Sequence, residues 1–381
     1  LIQPLAFGAD LGDFHASYMT GVTRLAEGRD PYDLCCIALY GPQYVMPPPL
    51  AWMLQPLIHV DTHVVTAAVI VVLNLSLFVF FLCAMQALDV DDWQLGVLLL
   101  LVTISFEPVI GNITEGQVNL VLLALSGVWL WAWVIGRWWG GIAIGLAVAV
   151  KLIQAPVGLL ILWSRRWSML AAATIAGLGL WLVAAPRYLP EYLLQVLPAT
   201  SRGTGIYENH SPGGTITRLF APDTFNGIAT ESPPAARVIT VVIALAAIVV
   251  TFAVLRSPST ARSGRVLEAA AVVALTPLVT PYSWGTHLVL LLVPILALVA
   301  WAVRRRDWTI AALVATGYFL LGFGHNRMQT LLLSGYSNIV VLRLLAELGV
   351  LGILAIWVAS LLAVRSERSR PVQESAHGTQ P

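Results

Sequence analysis

The chain has 381 residues, 58% of them hydrophobic and 11% charged, with a formal net charge of +1 and a mean hydropathy of +0.81. This composition lies far from that of soluble globular proteins and marks an integral membrane protein; it carries no basic footprint for nucleic acid. Cys35, Cys36 and Cys83 have no metal-ligand spacing, and the adjacent Cys35 and Cys36 read as structural.

The sequence starts at Leu1 with no basic segment followed by an apolar one, so no signal peptide is read. The expectation is a numbering that begins inside a longer protein, with a first membrane helix before residue 1. A span needs roughly 20 apolar residues. Blocks that approach this lie at 64–88, 95–110, 118–135, 138–163, 169–185, 237–255, 266–281, 286–303, 308–324 and 344–364. The block 138–163 contains Lys151, Gln154 and Pro156, which predicts two short helices meeting at a polar break, tolerated only where protein or water satisfies the backbone. The fold class that follows is all-α, a polytopic transmembrane bundle of about 10–12 spans, forming one membrane domain over 1–364. The polar stretch 365–381 reads as a disordered cytoplasmic tail.

Arginine sets the orientation. If every second loop is cytoplasmic, that side collects Arg137, Arg165, Arg166, Arg256, Arg262, Arg265, Arg304 to Arg306, Arg365, Arg368 and Arg370. The outer face then receives 1–60, 111–117, 186–236, 281–286 and 325–343, segments with enough Trp, Tyr, Pro and Asn to form ordered caps. No inverted repeat of the transporter kind is visible.

The polar chemistry lies on that outer face. In "GADLGDFHASY", Gly8 to Tyr18, Asp10 and Asp13 are three apart and share one face of a helix. They are either a solvated cap or, at a half-dry cleft, a general base. "EGRDPYD", Glu27 to Asp33, and "YVMPPPLAWMLQPL", Tyr44 to Leu57, read as a turn and a return into the membrane near Leu50. "GNITEGQVNL", Gly111 to Leu120, reads as a tight turn that sets Glu115, Gln117 and Asn119 beside two apolar spans; its Gln and Asn can bind sugar hydroxyls or cap the following helix, with capping favoured for Asn112. Lys151 is the one lysine of the chain and lies within an apolar block, where an ammonium either snorkels or faces a cavity and an anion such as a lipid phosphate. "YENHSPGGTITRLF", Tyr207 to Phe220, offers Asn209 and Arg218 around a Gly-Gly turn, as an ordinary loop or as an anion or sugar contact. "TPYSWGTHLVLLL", Thr280 to Leu292, places His287 at the mouth of a span. No phosphate-binding glycine loop, dinucleotide fingerprint or metal-spaced histidine pair is present in the sequence.

Taken in order, "GDFHASY", "GRDPY", the proline-rich re-entry, "NITEGQVNLVLLAL", "GLAVAVKLIQAPVGLLIL" with "RRW", "NHSPGGTITRLF" and "SWGTH" resemble glycosyltransferase family 87, over about residues 8 to 295. The resemblance implies a GT-C type bundle with its active site outside; no cofactor is expected, and no metal, because the carboxylates are not grouped as a divalent site. It implies a polyprenyl-phosphate sugar as donor, a glycolipid or glycan as acceptor, and membrane lipids as surroundings. The family's base falls on Asp13, with Asp10 as understudy. A second catalytic position falls on His287, although Thr286 stands where the family has a first histidine. The resemblance places Lys151 and Arg218 at the donor phosphate. The expected activity is α-mannosyl transfer with inversion in a bacterial plasma membrane. The alternatives are arabinofuranosyl transfer from polyprenyl-phosphate arabinose, a lipid-linked sugar flippase or transporter, and a non-catalytic binding subunit.

Overall fold

A computed structural model describes residues 11–32, 44–184, 186–221, 232–331 and 344–369, with the side chains of 323–331 excepted. Asp10, Cys35, Cys36 and the chain from 370 onward lie outside the described residues. All the regular elements among the described residues are helical. Four helices are long and apolar enough to cross a membrane: Thr62–Leu88, Pro234–Leu255, Gly285–Arg305 and Leu348–Arg368. Two bent pairs, Trp93–Ile104 with Glu107–Glu115 and Trp167–Val183 with Pro186–Thr200, raise the number to six if each is one span. Shorter apolar helices Asn119–Val134, Gly140–Val150, Leu152–Trp163 and Trp308–Gly322 complete the set. The chain is thus an all-α polytopic bundle.

The bends have local causes. The helix at 93–104 stops where Pro108 removes a backbone donor and restarts as the first turn of Glu107–Glu115, turned by 48°. The predicted break in 138–163 falls at Lys151, whose extended backbone (φ −156°, ψ 120°) separates Gly140–Val150 from a 3-10 turn, Leu152–Gln154. The second bent pair turns by 100°, so Pro186–Thr200 leaves the line of the preceding helix. At the C-terminus the last helix runs to Arg368, four residues into the stretch expected to be disordered. Glu367 accepts from Ser263 and Trp301, and Arg368 pairs with Glu268 at 2.9 Å. These contacts hold the final turn.

Antiparallel succession sorts polar groups to the two ends of the bundle. At one end arginines satisfy the carbonyls that helix C-termini leave open. Arg304 donates to Leu88 and Asp89 oxygens at 2.7 and 2.6 Å, and Arg265 donates to Val134 at 2.8 Å. Arg166 donates to the Trp133 carbonyl at 2.6 Å while its guanidinium lies 3.7 Å from the centre of the same residue's indole ring. Glu268, 1% exposed, accepts from the Ser259 N–H at 2.7 Å and pairs with Arg368. The other end holds Asp13, Gln117, Asn119, Lys151 and His287.

Helix Gly140–Val150 lies so close to Trp167–Val183 that a Cβ at Gly141 or Gly145 would strike the Met169 or Ala173 carbonyl. Such approach is the usual packing of membrane helices, where small residues replace the missing hydrophobic drive. At the polar end, Gly116 ends Glu107–Glu115 in the left-handed region (φ 68°), and a Cβ there would sit 2.6 Å from Phe14 Cβ. That turn therefore seats the segment 14–18. Gly145→Leu is expected to lower the thermal unfolding midpoint in detergent, by a loss of ~3 kcal/mol or more. Gly116→Ala should cost about 1–2 kcal/mol for its backbone alone, read by the same melt, with a further loss from displaced Phe14.

Candidate active site

The first part of the site is built by a short π-helical turn, Phe14–Tyr18, that continues as Met19–Ala26. Phe14 and Tyr18 are buried, which anchors the turn, and Asp13 stands at its start, exposed. Gln117, 6% exposed, donates from Nε2 to Asp13 Oδ2 and accepts the Tyr18 hydroxyl on Oε1 at 2.6 Å. Burial first, and Asp13 second, push the Tyr18 phenol far above its ordinary pKa, so it remains a donor. The Glu115 carboxylate lies against the backbone just before Asp13, its Oε2 2.9 Å from where a Cβ on Gly12 would stand, and within electrostatic range of Asp13. Among the described residues, Glu115 is thus the carboxylate that the fold brings to Asp13. It comes from a turn about a hundred positions away.

The second part is a line of buried amides ending on an ammonium. Asn112, inside a helix and fully buried, donates to the Pro108 carbonyl at 2.6 Å and to the Thr286 carbonyl at 2.7 Å. Its Oδ1 accepts from Asn119 Nδ2 at 3.0 Å, and Asn119 Oδ1 accepts from Lys151 Nζ at 2.9 Å. Asn112 therefore ties three segments together rather than capping the next helix, whose N-cap Val118 offers no side chain for it. Lys151, 6% exposed, directs one of its three N–H groups to a partner among the described residues. It lies within electrostatic range of both Asp13 and His287.

His287 belongs to a 3-10 turn, Gly285–Leu291, and its Nδ1 has no hydrogen-bond partner among the described residues. It borders a cavity of about 10 Å3 shared with Gln154, Thr276 and Ser283. Gln154 in turn donates to Ser126 at 2.7 Å, which fixes the far side of the Lys151 break.

Arg218 and Asn209 form a separate constellation. The five N–H groups of Arg218 all meet protein acceptors. Nε and Nη2 reach Glu347 at 2.7 and 2.8 Å, Nη1 reaches the Ile206 and Asn209 carbonyls at 2.9 and 3.1 Å, and Nη2 also reaches Thr215 at 3.3 Å. Asn209 is equally satisfied: Nδ2 donates to the Thr204 and Pro281 carbonyls at 2.9 and 3.1 Å, and Oδ1 accepts from the Ser211 and Ser283 N–H groups at 3.1 and 3.0 Å. In this arrangement both residues fasten loop 204–211 to 281–283 and to the head of the last helix. The structure thus brings together Asp13, Gln117, Lys151 and His287; Asp10 falls outside the described residues.

Tyr18, Glu115 and Asn119 lie in two stretches that the sequence marks, "GADLGDFHASY" and "GNITEGQVNL", but their contacts with Gln117, Asp13 and Lys151 are seen only in the fold. A buried amide among apolar positions was the one available signal for Asn119, and no local spacing links Tyr18 to Gln117.

The profile of Glycosyltransferase family 87 matches residues 44–281. A polyprenol-phosphate-mannose-dependent alpha-(1-2)-phosphatidylinositol pentamannoside mannosyltransferase of Mycolicibacterium smegmatis is 37% identical over 125 residues, 31% of this chain and 29% of that protein. The like-named protein of Mycobacterium tuberculosis is 25% identical over 233 residues, covering 58% and 51%. An alpha-(1->3)-arabinofuranosyltransferase of Corynebacterium glutamicum is 26% identical over 169 residues, covering 43% and 39%. The chain spans about half or less of the length of these curated relatives. No solved structure matches it. With its family profile matched over more than half its length, the chain belongs to glycosyltransferase family 87.

Proposed function

We propose that this protein transfers a sugar, mannose in the first instance, from a polyprenyl-phosphate donor to the hydroxyl of a glycolipid or glycan acceptor. The observation that carries this is an exposed carboxylate, Asp13, held by Gln117 within electrostatic range of the buried Lys151, which uses one N–H on a partner among the described residues. As the acceptor oxygen bonds to the anomeric carbon, Asp13 takes its proton. The bond from that carbon to the phosphate oxygen breaks on the opposite side, and the phosphate leaves with the electron pair. One displacement inverts the anomeric centre. The leaving phosphate needs charge stabilisation rather than an acid, and fixed donors in a water-poor site supply it well. Lys151 fills that role, with His287 beside it.

The arginines support the sidedness of this reading. Arg166, Arg262, Arg265, Arg304, Arg305 and Arg368 occupy the end of the bundle away from Asp13, which the positive-inside rule assigns to the cytoplasm. The site then opens to the outer face of a bacterial plasma membrane, where a lipid-linked donor can arrive through the bilayer. Likeness to an arabinofuranosyltransferase supports a second reading, with polyprenyl-phosphate arabinose as donor.

Transfer from radiolabelled polyprenyl-phosphate mannose is measured in membranes holding equal amounts of each variant. Asp13→Asn is expected to lose at least about 100-fold in rate; full activity would reject Asp13 as the base. Lys151→Met should lose about 100-fold or more in kcat, and Lys151→Arg should recover part of it. Unlabelled polyprenyl-phosphate arabinose that abolishes incorporation at equal concentration, and is itself consumed, would move the assignment to the second donor.

A further inference from the structure

Gln117 lies between two side chains of one short turn, with an acceptor on one side and a donor on the other. Its Nε2 faces Asp13 Oδ2 and its Oε1 faces the Tyr18 hydroxyl. We propose that Gln117 is the positioning residue of Asp13: Tyr18 sets the amide so that its N–H holds one carboxylate oxygen, leaving the other aimed at the acceptor hydroxyl. This rests on Asp13 being the base, as proposed above.

Sterics alone do not orient an amide, since its oxygen and nitrogen are nearly the same size; its partners decide. A reversed Gln117 would set its carbonyl against the Asp13 carboxylate, and two acceptors repel. The Tyr18 side is matched to that choice. Tyr18 is 1% exposed, and burial together with Asp13 keeps its phenol protonated, so it presents an O–H to Oε1. The carboxylate decides the orientation, with the N–H toward Asp13, and the Tyr18 hydroxyl, which can donate or accept, completes it by donating to Oε1.

The local backbone makes the clamp possible. Asp13 and Tyr18 are five residues apart, which in an α-helix places them on different faces. The turn at 14–18 is instead π-helical, closed by the Met19 N–H on the Phe14 carbonyl, and i→i+5 closure brings residues five apart onto one face. Single π turns of this kind are often found where function needs them. On the other side, Gln117 is fixed by the left-handed turn at Gly116 and by its own N–H on the Asn112 carbonyl at 2.9 Å. The amide is thus held from both ends, while Asp13 itself stays exposed and its Oδ1 has no hydrogen-bond partner among the described residues.

A residue that aims a base changes the rate of the chemical step and leaves donor binding alone. Steady-state transfer is measured on detergent-purified, monodisperse full chain with the polyprenyl-phosphate sugar as varied substrate. Gln117→Leu is expected to lower kcat by about 10- to 100-fold with the donor KM unchanged, and Tyr18→Phe to show the same split with a smaller loss. In an Asp13→Glu background, where the carboxylate no longer sits in the clamp, adding Gln117→Leu should cost less than about twofold further. A purely structural role would multiply the losses. Wild-type kcat in Gln117→Leu, a raised donor KM with unchanged kcat, or multiplied losses would each overturn the proposal; should Asp13→Glu be inactive, the kcat and KM split decides alone. The two assignments fail separately. Full activity of Asp13→Asn removes the base, whereas an inactive Asp13→Asn beside a normal Gln117→Leu removes only the clamp.

Discussion

A bilayer offers no water to an unpaired polar group, and this constraint shapes both ends of the bundle. Asn112, Asn119 and Lys151 sit among apolar side chains, where each alone would be costly. They are tolerable because each amide oxygen and nitrogen is used in turn: carbonyl oxygens of Pro108 and Thr286 to Asn112, Asn112 to Asn119, Asn119 to Lys151. The line joins helix Glu107–Glu115, helix Asn119–Val134, the break at Lys151 and the 3-10 turn that carries His287. Removing one amide leaves its neighbours unsatisfied, so the site's geometry and the packing of four segments are one problem.

At the opposite end the same constraint is met by arginine. Helix C-termini leave carbonyls unbonded, and Arg166, Arg265 and Arg304 donate to them directly. The residues that set membrane orientation therefore also close the helices whose other ends carry the site. Glu367 pairs with Arg305 and Glu268 with Arg368, contacts that draw the last helix into the network and hold it helical through Arg368 although its composition there is polar.

Much of the fold was legible in the sequence because its signals are local. Apolar blocks, the polar break at Lys151 and the arginine asymmetry each depend on neighbouring residues, and helices occur at or near the expected blocks. What was not legible depends on contacts between distant segments. Proline at 108 was not read as a bend, and the π turn at 14–18 left no mark in the spacing of Asp13 and Tyr18. The site followed the same division. Asp13, Gln117, Lys151 and His287 stood out as polar residues in unusual places, and the fold gathers them. Pairing Asp13 with Asp10 by spacing pointed along the chain, whereas the carboxylate seen beside Asp13 comes from Glu115.

The two buried cations show how satisfaction separates structure from chemistry. Both Lys151 and Arg218 looked suited to a phosphate, since each is a charge in a poor place for one. Arg218 has a bidentate carboxylate and three further acceptors, which uses every donor its planar fork possesses. To bind an anion it would have to surrender contacts that hold loop 204–211 to the last helix, and an anion would then face Glu347 as well. Lys151 uses one N–H of three, on a neutral amide, with no carboxylate in hydrogen-bond contact among the described residues. In the function proposed above, an incoming phosphate would therefore displace no hydrogen bond of Lys151 to a carboxylate. A buried, under-satisfied Lys151 within electrostatic range of an exposed carboxylate depends on the amide line that ends on it, and under the proposed function that dependence puts the chemistry at the end of the polar chain rather than in its middle.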